Sequence, residues 1–197
     1  MKEERKQELL ETAYEKGRQY EATATDCCQS TIAAIQDTLG CKNDAVLRAG
    51  SAFAGGVGLS GFGSCGALTG AVMVIGQLCG RTREEFVDDA DREINDPDFD
   101  YVTATKGWDY AYEMVERFII HYGSTICREV AAKAGTWSEG EEHIRLRSPA
   151  RSLLKKKREE SDLLFPHELD GCPKVVGTAA KWATEIILRE RLYEPDE

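Results

Sequence analysis

Apolar residues along this chain recur at intervals of three and four, the spacing that gathers side chains on one face of an α-helix. From Glu3 to Tyr20 the residues Leu9, Leu10, Ala13 and Tyr14 form a modest apolar face among charged positions. A second helix is expected over Asp26–Leu39, with Thr25 offering the cap and Asp26 placed against the helix dipole. Its apolar stripe is Cys28, Ile32, Ile35 and Leu39, and Gly40 ends it. A short helix from Asn43 to Ala49 leads into Ser51–Gly80, the stretch around which the rest is organised. No charged residue lies between Arg48 and Arg81, and ten of the 18 glycines fall between Gly50 and Gly80.

Within that stretch Ala54–Gly63 reads as a glycine-rich turn segment, where left-handed backbone and close approach are sterically allowed. Ser64–Cys79 reads as a helix capped by Ser64 and stopped by Gly80. Cys65, Thr69, Val72, Gly76 and Cys79 share one stripe, and Gly66, Gly70, Ala67 and Ala71 place small residues four apart, so that neighbouring helices can come close. Small residues at this spacing also occur in membrane helices. Length argues otherwise: a helix of this length rises about 24 Å, against roughly 30 Å of hydrocarbon. A buried central helix is the expectation.

Farther along, Thr82 and Glu85 form a capping-box pattern for a helix to about Ala90. Asp88–Asp100 holds seven acidic residues but lacks the ligand alternation and central glycine of a calcium loop, and reads as a solvated linker. Tyr101–Tyr122 is a long helix whose stripe of Trp108, Tyr112, Val115, Ile119 and Tyr122 is expected to pack in the core. Ser124 caps a short helix through Lys133. Gly135–Ser148 is polar and irregular, and Arg145–Arg158, with seven basic residues, reads as a solvated face that offsets local acidity. Asp170-Gly171-Cys172-Pro173 opens the last helix, with proline at a favoured first-turn position. It runs to about Arg191 and buries Val176, Ala179, Ala183 and Ile186. No strand alternation or internal repeat is present. The fold class is all-α: one domain over residues 1–197, a bundle of about six to eight helices around a Gly/Ala-rich central helix, with a polar and basic insertion at about 135–170.

A net charge of −10 argues against nucleic-acid or anionic-membrane partners. The charged N-terminus has no apolar signal-peptide core, so the expected location is the cytoplasm, where disulfides are rare and thiols are buried, metal-binding or redox-active. Seven cysteines, an odd number, exclude a fully paired intrachain framework.

The helix assignments sort these cysteines. Cys27, Cys28, Cys65, Cys127 and Cys172 fall in the first turns of expected helices, where unpaired N–H groups and the dipole favour a thiolate. Cys41 and Cys79 fall at C-terminal ends. Reactive or ligating roles are therefore expected for Cys27, Cys65, Cys127 and Cys172, converging on one site, with Cys65 the most reactive. Cys28 heads the apolar stripe of its helix and is expected to pack. No CxxC, CxxCH, HExxH or P-loop occurs, and His121, His143 and His167 show no ligand spacing.

These cysteines also carry a resemblance. Asp26-Cys27-Cys28-Gln29 looks like an Asn-Cys-Ala-Gln element, and Gly63-Ser64-Cys65-Gly66-Ala67-Leu68-Thr69-Gly70 is similar to a central cysteine–glycine–alanine motif. Gly123-Ser124-Thr125-Ile126-Cys127-Arg128 and Cys172 supply the third and last elements. The sequence resembles the C-GCAxxG-C-C family of redox-active proteins over roughly residues 10–190, departing from it at Asp26, at Cys28 and in the long Gly135–Asp170 segment. The resemblance assigns the family's four cysteines to Cys27, Cys65, Cys127 and Cys172.

Three functions follow as alternatives. The leading one is a thiol-based oxidoreductase acting on a protein or small-molecule redox partner, in which Gly63, Gly66 and Gly70 let a substrate backbone or electron carrier approach Cys65. It requires no cofactor. The second has the same four cysteines hold zinc or an iron–sulfur cluster. The third is a non-catalytic helical subunit whose cysteines merely pack, and a homo-oligomer is compatible with all three.

Overall fold

Eight α-helices and no β-strand are found among the described residues, which in this computed structural model are 1–92, 96–97, 100–136 and 171–195. From residue 137 on, the polar and basic insertion lies outside them, as do His143, His167 and part of the acidic 88–100 stretch. The helices are α1 (Glu3–Ala24), α2 (Cys27–Leu39), α3 (Asp44–Gly50), α4 (Gly66–Cys79), α5 (Arg83–Ala90), α6 (Tyr101–Tyr122), α7 (Cys127–Lys133) and α8 (Cys172–Arg189), with a 3₁₀ turn at Ser51–Phe53. None of them is long and apolar enough to cross a membrane.

The core is built where small residues remove the bulk between helices. α4 touches α2, α3, α6 and α8, and buries Ala67, Leu68, Ala71, Val74 and Ile75. At its start Gly70 lies against the backbone of α2, so close that an added Cβ would stand 2.5 Å from the Cys28 carbonyl oxygen. A second close crossing joins α1 to α8: a Cβ on Gly177 would meet the Tyr14 carbonyl oxygen at 2.6 Å. On α2 the stripe Cys28, Ile32, Ile35 and Leu39 is buried, and each aliphatic side chain there contributes about 1.5–3 kcal/mol. Val176, Ala179, Ala183 and Ile186 of α8 are buried in the same core. One part-buried polar pair links elements: Gln36 Nε2 donates to Gln77 Oε1 (2.8 Å), whose own Nε2 donates to the Cys41 carbonyl (2.7 Å). That link stitches α2, α4 and the turn after Gly40.

Several boundaries differ from expectation for local reasons. α1 continues beyond Tyr20 to Ala24, and Thr25, in the left-handed region (φ 58°), closes it through its N–H to the Glu21 carbonyl. Thr25 is therefore a C-cap, and the cap of α2 is Asp26, whose side chain accepts from Gln29 N–H at 3.0 Å. α4 is capped by Cys65 rather than Ser64, with no side-chain capping bond. The capping box at Thr82 and Glu85 forms as the pattern implies.

The aromatic stripe of α6 enters the core only in part: Tyr122 is buried and Val115 packs against the core. Trp108, Tyr112 and Ile119 are 67%, 63% and 50% exposed, and the buried residues are Met114, Phe118 and Tyr122. Two apolar stripes lie side by side on this helix, and α4 and α8 cover the second. Phe118 makes an edge contact with Trp182 of α8 (5.9 Å between ring centres), and Glu113 binds Arg189 at 2.6 Å across the same junction.

Candidate functional site

Four helix starts carry cysteines, and the connecting segments hold those starts near one another. Cys27 is the first residue of α2, Cys65 caps α4, Cys127 opens α7, and Cys172 opens α8 after Gly171 (φ 80°). The starts of α4 and α7 are tied by an antiparallel bridge between Ser64 and Ile126: Cys65 N–H donates to the Thr125 carbonyl (2.8 Å) and Cys127 N–H to that of Gly63 (2.9 Å). Ser124 holds the approach, its hydroxyl accepting from Ile126 N–H and donating to Glu129. The starts of α2 and α4 meet directly, because a Cβ on Gly66 would fall on Cys27 Sγ. Cys172 is anchored through its sulfur by the Thr136 hydroxyl at 3.5 Å.

The glycine-rich segment wraps this cluster. Gly55 N–H donates to Cys27 Sγ at 3.4 Å, and Gly56 (φ 72°) lies so near α7 that a Cβ there would be 2.7 Å from Cys127 Cβ. Arg128 N–H donates to the Gly61 carbonyl, and its guanidinium covers the Phe62 ring at 4.8 Å. Val57 and Leu59 also sit at positive φ (65° and 59°), a strained choice for side chains with a Cβ, a β-branched one above all. The space beside Gly63, Gly66 and Gly70, expected to admit a substrate backbone or carrier, is filled by the protein itself: the Gly56 backbone and Val57 at Gly63, α2 at Gly66 and Gly70.

Electrostatics ties the four sulfurs into one group. Burial pushes all four thiols up, and negative charge nearby adds to it: Glu21, Cys65 and Cys172 act on Cys27, and Cys127 and Cys172 act on Cys65. Cys127 is pushed up to about 12 by burial, then by Cys172 and Glu21, and Cys172 is raised by burial and by Glu21. The expectation that helix starts lower these thiols therefore needs correcting. A dipole is worth about a kilocalorie per mole, and loss of hydration outweighs it when the start is buried. Cys65, expected to be the most reactive thiol, is only 6% exposed, as is Cys127; Cys27 and Cys172 retain partial exposure.

The remaining cysteines lie elsewhere in the core. Cys28 is fully buried, its sulfur 4.0 Å from Met73 Sδ, and packs as its stripe implies. Cys79 donates back to the Ile75 carbonyl at 3.1 Å, and Cys41 is buried within the turn after α2, its N–H donating to the Gln36 carbonyl. All seven cysteines are free thiols. Among the described residues no three Cys, His, Asp or Glu side chains are grouped to hold a metal ion.

One residue at the cluster was not singled out by its motif. Glu21, in the last turn of α1, has its carboxylate buried, with Oε2 lacking any hydrogen-bond partner. Burial raises it to about 8 against the pull of the Ser30 hydroxyl, and Asp26 adds to the rise. The signal lay in the periodicity: Glu21 follows Leu10, Ala13 and Gly17 on the inward face of α1. Tyr122, pushed up to about 12 by burial despite the Thr178 side chain, also feels Cys65 and Cys172 and closes the cluster from α6.

An all-helical protein with thiols at four juxtaposed helix starts is the class this arrangement defines. The chain belongs to the family described as "Putative redox-active protein (C_GCAxxG_C_C)", whose model matches residues 25–186. No curated protein and no solved structure matches it.

Proposed function

We propose that the chain is a thiol-based oxidoreductase in which Cys27, Cys65, Cys127 and Cys172 form one redox site. The observation that carries this reading is the packing of the cysteine-bearing helix starts: the Ser64–Ile126 bridge joins those of Cys65 and Cys127, Gly66 of α4 lies against Cys27 Sγ, and the glycine-rich segment rests on both Cys27 and Cys127. Cysteines that merely filled local gaps would have no reason to share one neighbourhood.

The chemistry runs through Cys27 and Cys65. Cys27 is partly exposed and has the Gly55 N–H aimed at its sulfur, a donor that steadies the thiolate as it forms. Its thiolate attacks a partner disulfide, giving a mixed disulfide and releasing the first partner thiol. Cys65 then attacks Cys27 Sγ, closes a Cys27–Cys65 disulfide and releases the second thiol. Two electrons and two protons pass to the partner. Raised thiol pKa values slow indiscriminate attack, since the thiolate is the nucleophile.

Equilibration in buffers of oxidised and reduced dithiothreitol, followed by thiol counting under denaturing quench, tests this. Thiols should be lost in pairs, and Cys65→Ser should remove the first pair. Seven free thiols across the whole range would overturn the reading.

A further inference from the structure

We propose that Glu21 is the proton acceptor and donor of the thiol site, a role that rests on the redox reading above. A carboxylate placed in the interior is normally held by two or more hydrogen bonds or by a cation, because its desolvation is expensive. Glu21 Oε2 is buried and has no hydrogen-bond partner. The turn that carries Glu21 closes on Thr25, two residues before Cys27, and the carboxylate's charge acts on Cys27 of α2, Cys127 of α7 and Cys172 of α8. Asp26 and Ser30 are its other polar neighbours, at the cap and on the second turn of α2. A proton acceptor for a buried thiol needs this placement, and a carboxyl that titrates near neutrality is matched to the task.

The step balances as follows, with oxidised glutathione as the partner disulfide. Ionised Glu21 takes the proton of Cys27 as the thiolate attacks the glutathione disulfide. The new bond is Cys27 Sγ to one glutathione sulfur, and the bond broken is the glutathione S–S. The departing glutathione thiolate takes the proton back from Glu21, which returns to its carboxylate. Cys65 then displaces the second glutathione from Cys27, its own proton passing to that leaving sulfur. Glu21 is unchanged at the end, and the protein has given up two electrons.

The Glu21→Gln variant separates this role from a packing role. Gln keeps the shape, removes the exchangeable proton, and takes away a negative charge that opposes thiolate formation. Alkylation of Cys27 by iodoacetamide, which needs only the pre-formed thiolate, should therefore be as fast as in the wild type or faster above pH 8. Reduction of oxidised glutathione should be slower, by about 100-fold or more, and Glu21→Asp should restore part of the loss. Equal changes in both rates, or no change in either, would overturn the assignment. Should the Gln variant fail to fold, carboxyl-labelled NMR of the wild-type chain decides: a Glu21 titration near pH 8 supports the role, and one in the ordinary carboxylate range overturns it. A wild-type chain inert to oxidised glutathione defeats the redox reading itself and Glu21's role with it. A reactive wild type matched by Glu21→Gln defeats Glu21's role alone.

Discussion

Gly70→Ala is expected to lower stability by about 2–3 kcal/mol or more, whereas Gly76→Ala, on the same helix, should raise it by up to about 1 kcal/mol. Both changes replace glycine in the interior of α4 and both gain helix propensity. The difference is what the new methyl group meets. At position 70 it would stand 2.5 Å from the Cys28 carbonyl oxygen and 3.1 Å from Thr31 Cβ, and a backbone carbonyl cannot rotate away as a side chain can. At position 76 nothing lies within 4 Å. The α2–α4 contact must open to admit the methyl group at 70, and Cys27 would be moved away from Cys65 in doing so. A chain of this size loses about 2–4 °C of melting temperature per kcal/mol, so paired thermal melts of the two variants read the effect directly. Equal melting temperatures would mean that α4 does not press against α2 as described.

Stability should also fall as pH rises from about 4.5 to about 8, and Glu21→Gln should remove most of that fall. Glu21 is raised from 4.5 to about 8 in the folded chain, so its contribution is fully present below the unfolded value and is lost as pH climbs through the folded one. In that window the unfolded chain releases a proton that the folded chain retains, which favours unfolding. The ceiling on the effect is on the order of 3–5 kcal/mol. Above this window the raised thiols act in the same direction, since Cys28 and Cys127 stand near 12 when folded against 9 when free. Glu113 has the opposite sign: hydrogen bonds from Arg189 and Arg117 lower it, so its contribution is lost on acidification instead. Urea unfolding at several pH values would separate the terms. A fall of the same size in the wild type and in Glu21→Gln would show that the carboxyl is not held in its neutral form.

Much of this architecture was legible in the sequence wherever a local rule decides the outcome. The span Tyr101–Tyr122, the capping box at Thr82, the α2 stripe from Cys28 to Leu39 and the small residues of α4 all follow from spacing, capping and steric bulk. The stripe of α6 shows where such rules stop. Trp108, Tyr112 and Ile119 have the helical period, but so do Met114 and Phe118 beside them, with Tyr122 shared by both lines, and only the positions of α4 and α8 select which set is covered. The thiols show the same limit in energetic form. Sequence places Cys27, Cys65, Cys127 and Cys172 in first turns, and so gives the sign of the dipole. The depth at which those turns lie comes from long-range packing, and depth reverses the outcome. Glu21 went unread because helix α1 was expected to stop at Tyr20, one residue before the carboxylate that reaches the cluster.

The central claim is that Cys27 and Cys65, with Cys127 and Cys172 beside them, share one redox site. Peptide mapping of the oxidised chain under non-reducing conditions tests it most directly. The account predicts a Cys27–Cys65 disulfide as the first to form, with Cys28, Cys41 and Cys79 still free. A first disulfide involving Cys28, Cys41 or Cys79, or oxidation that yields only links between separate chains, would contradict it.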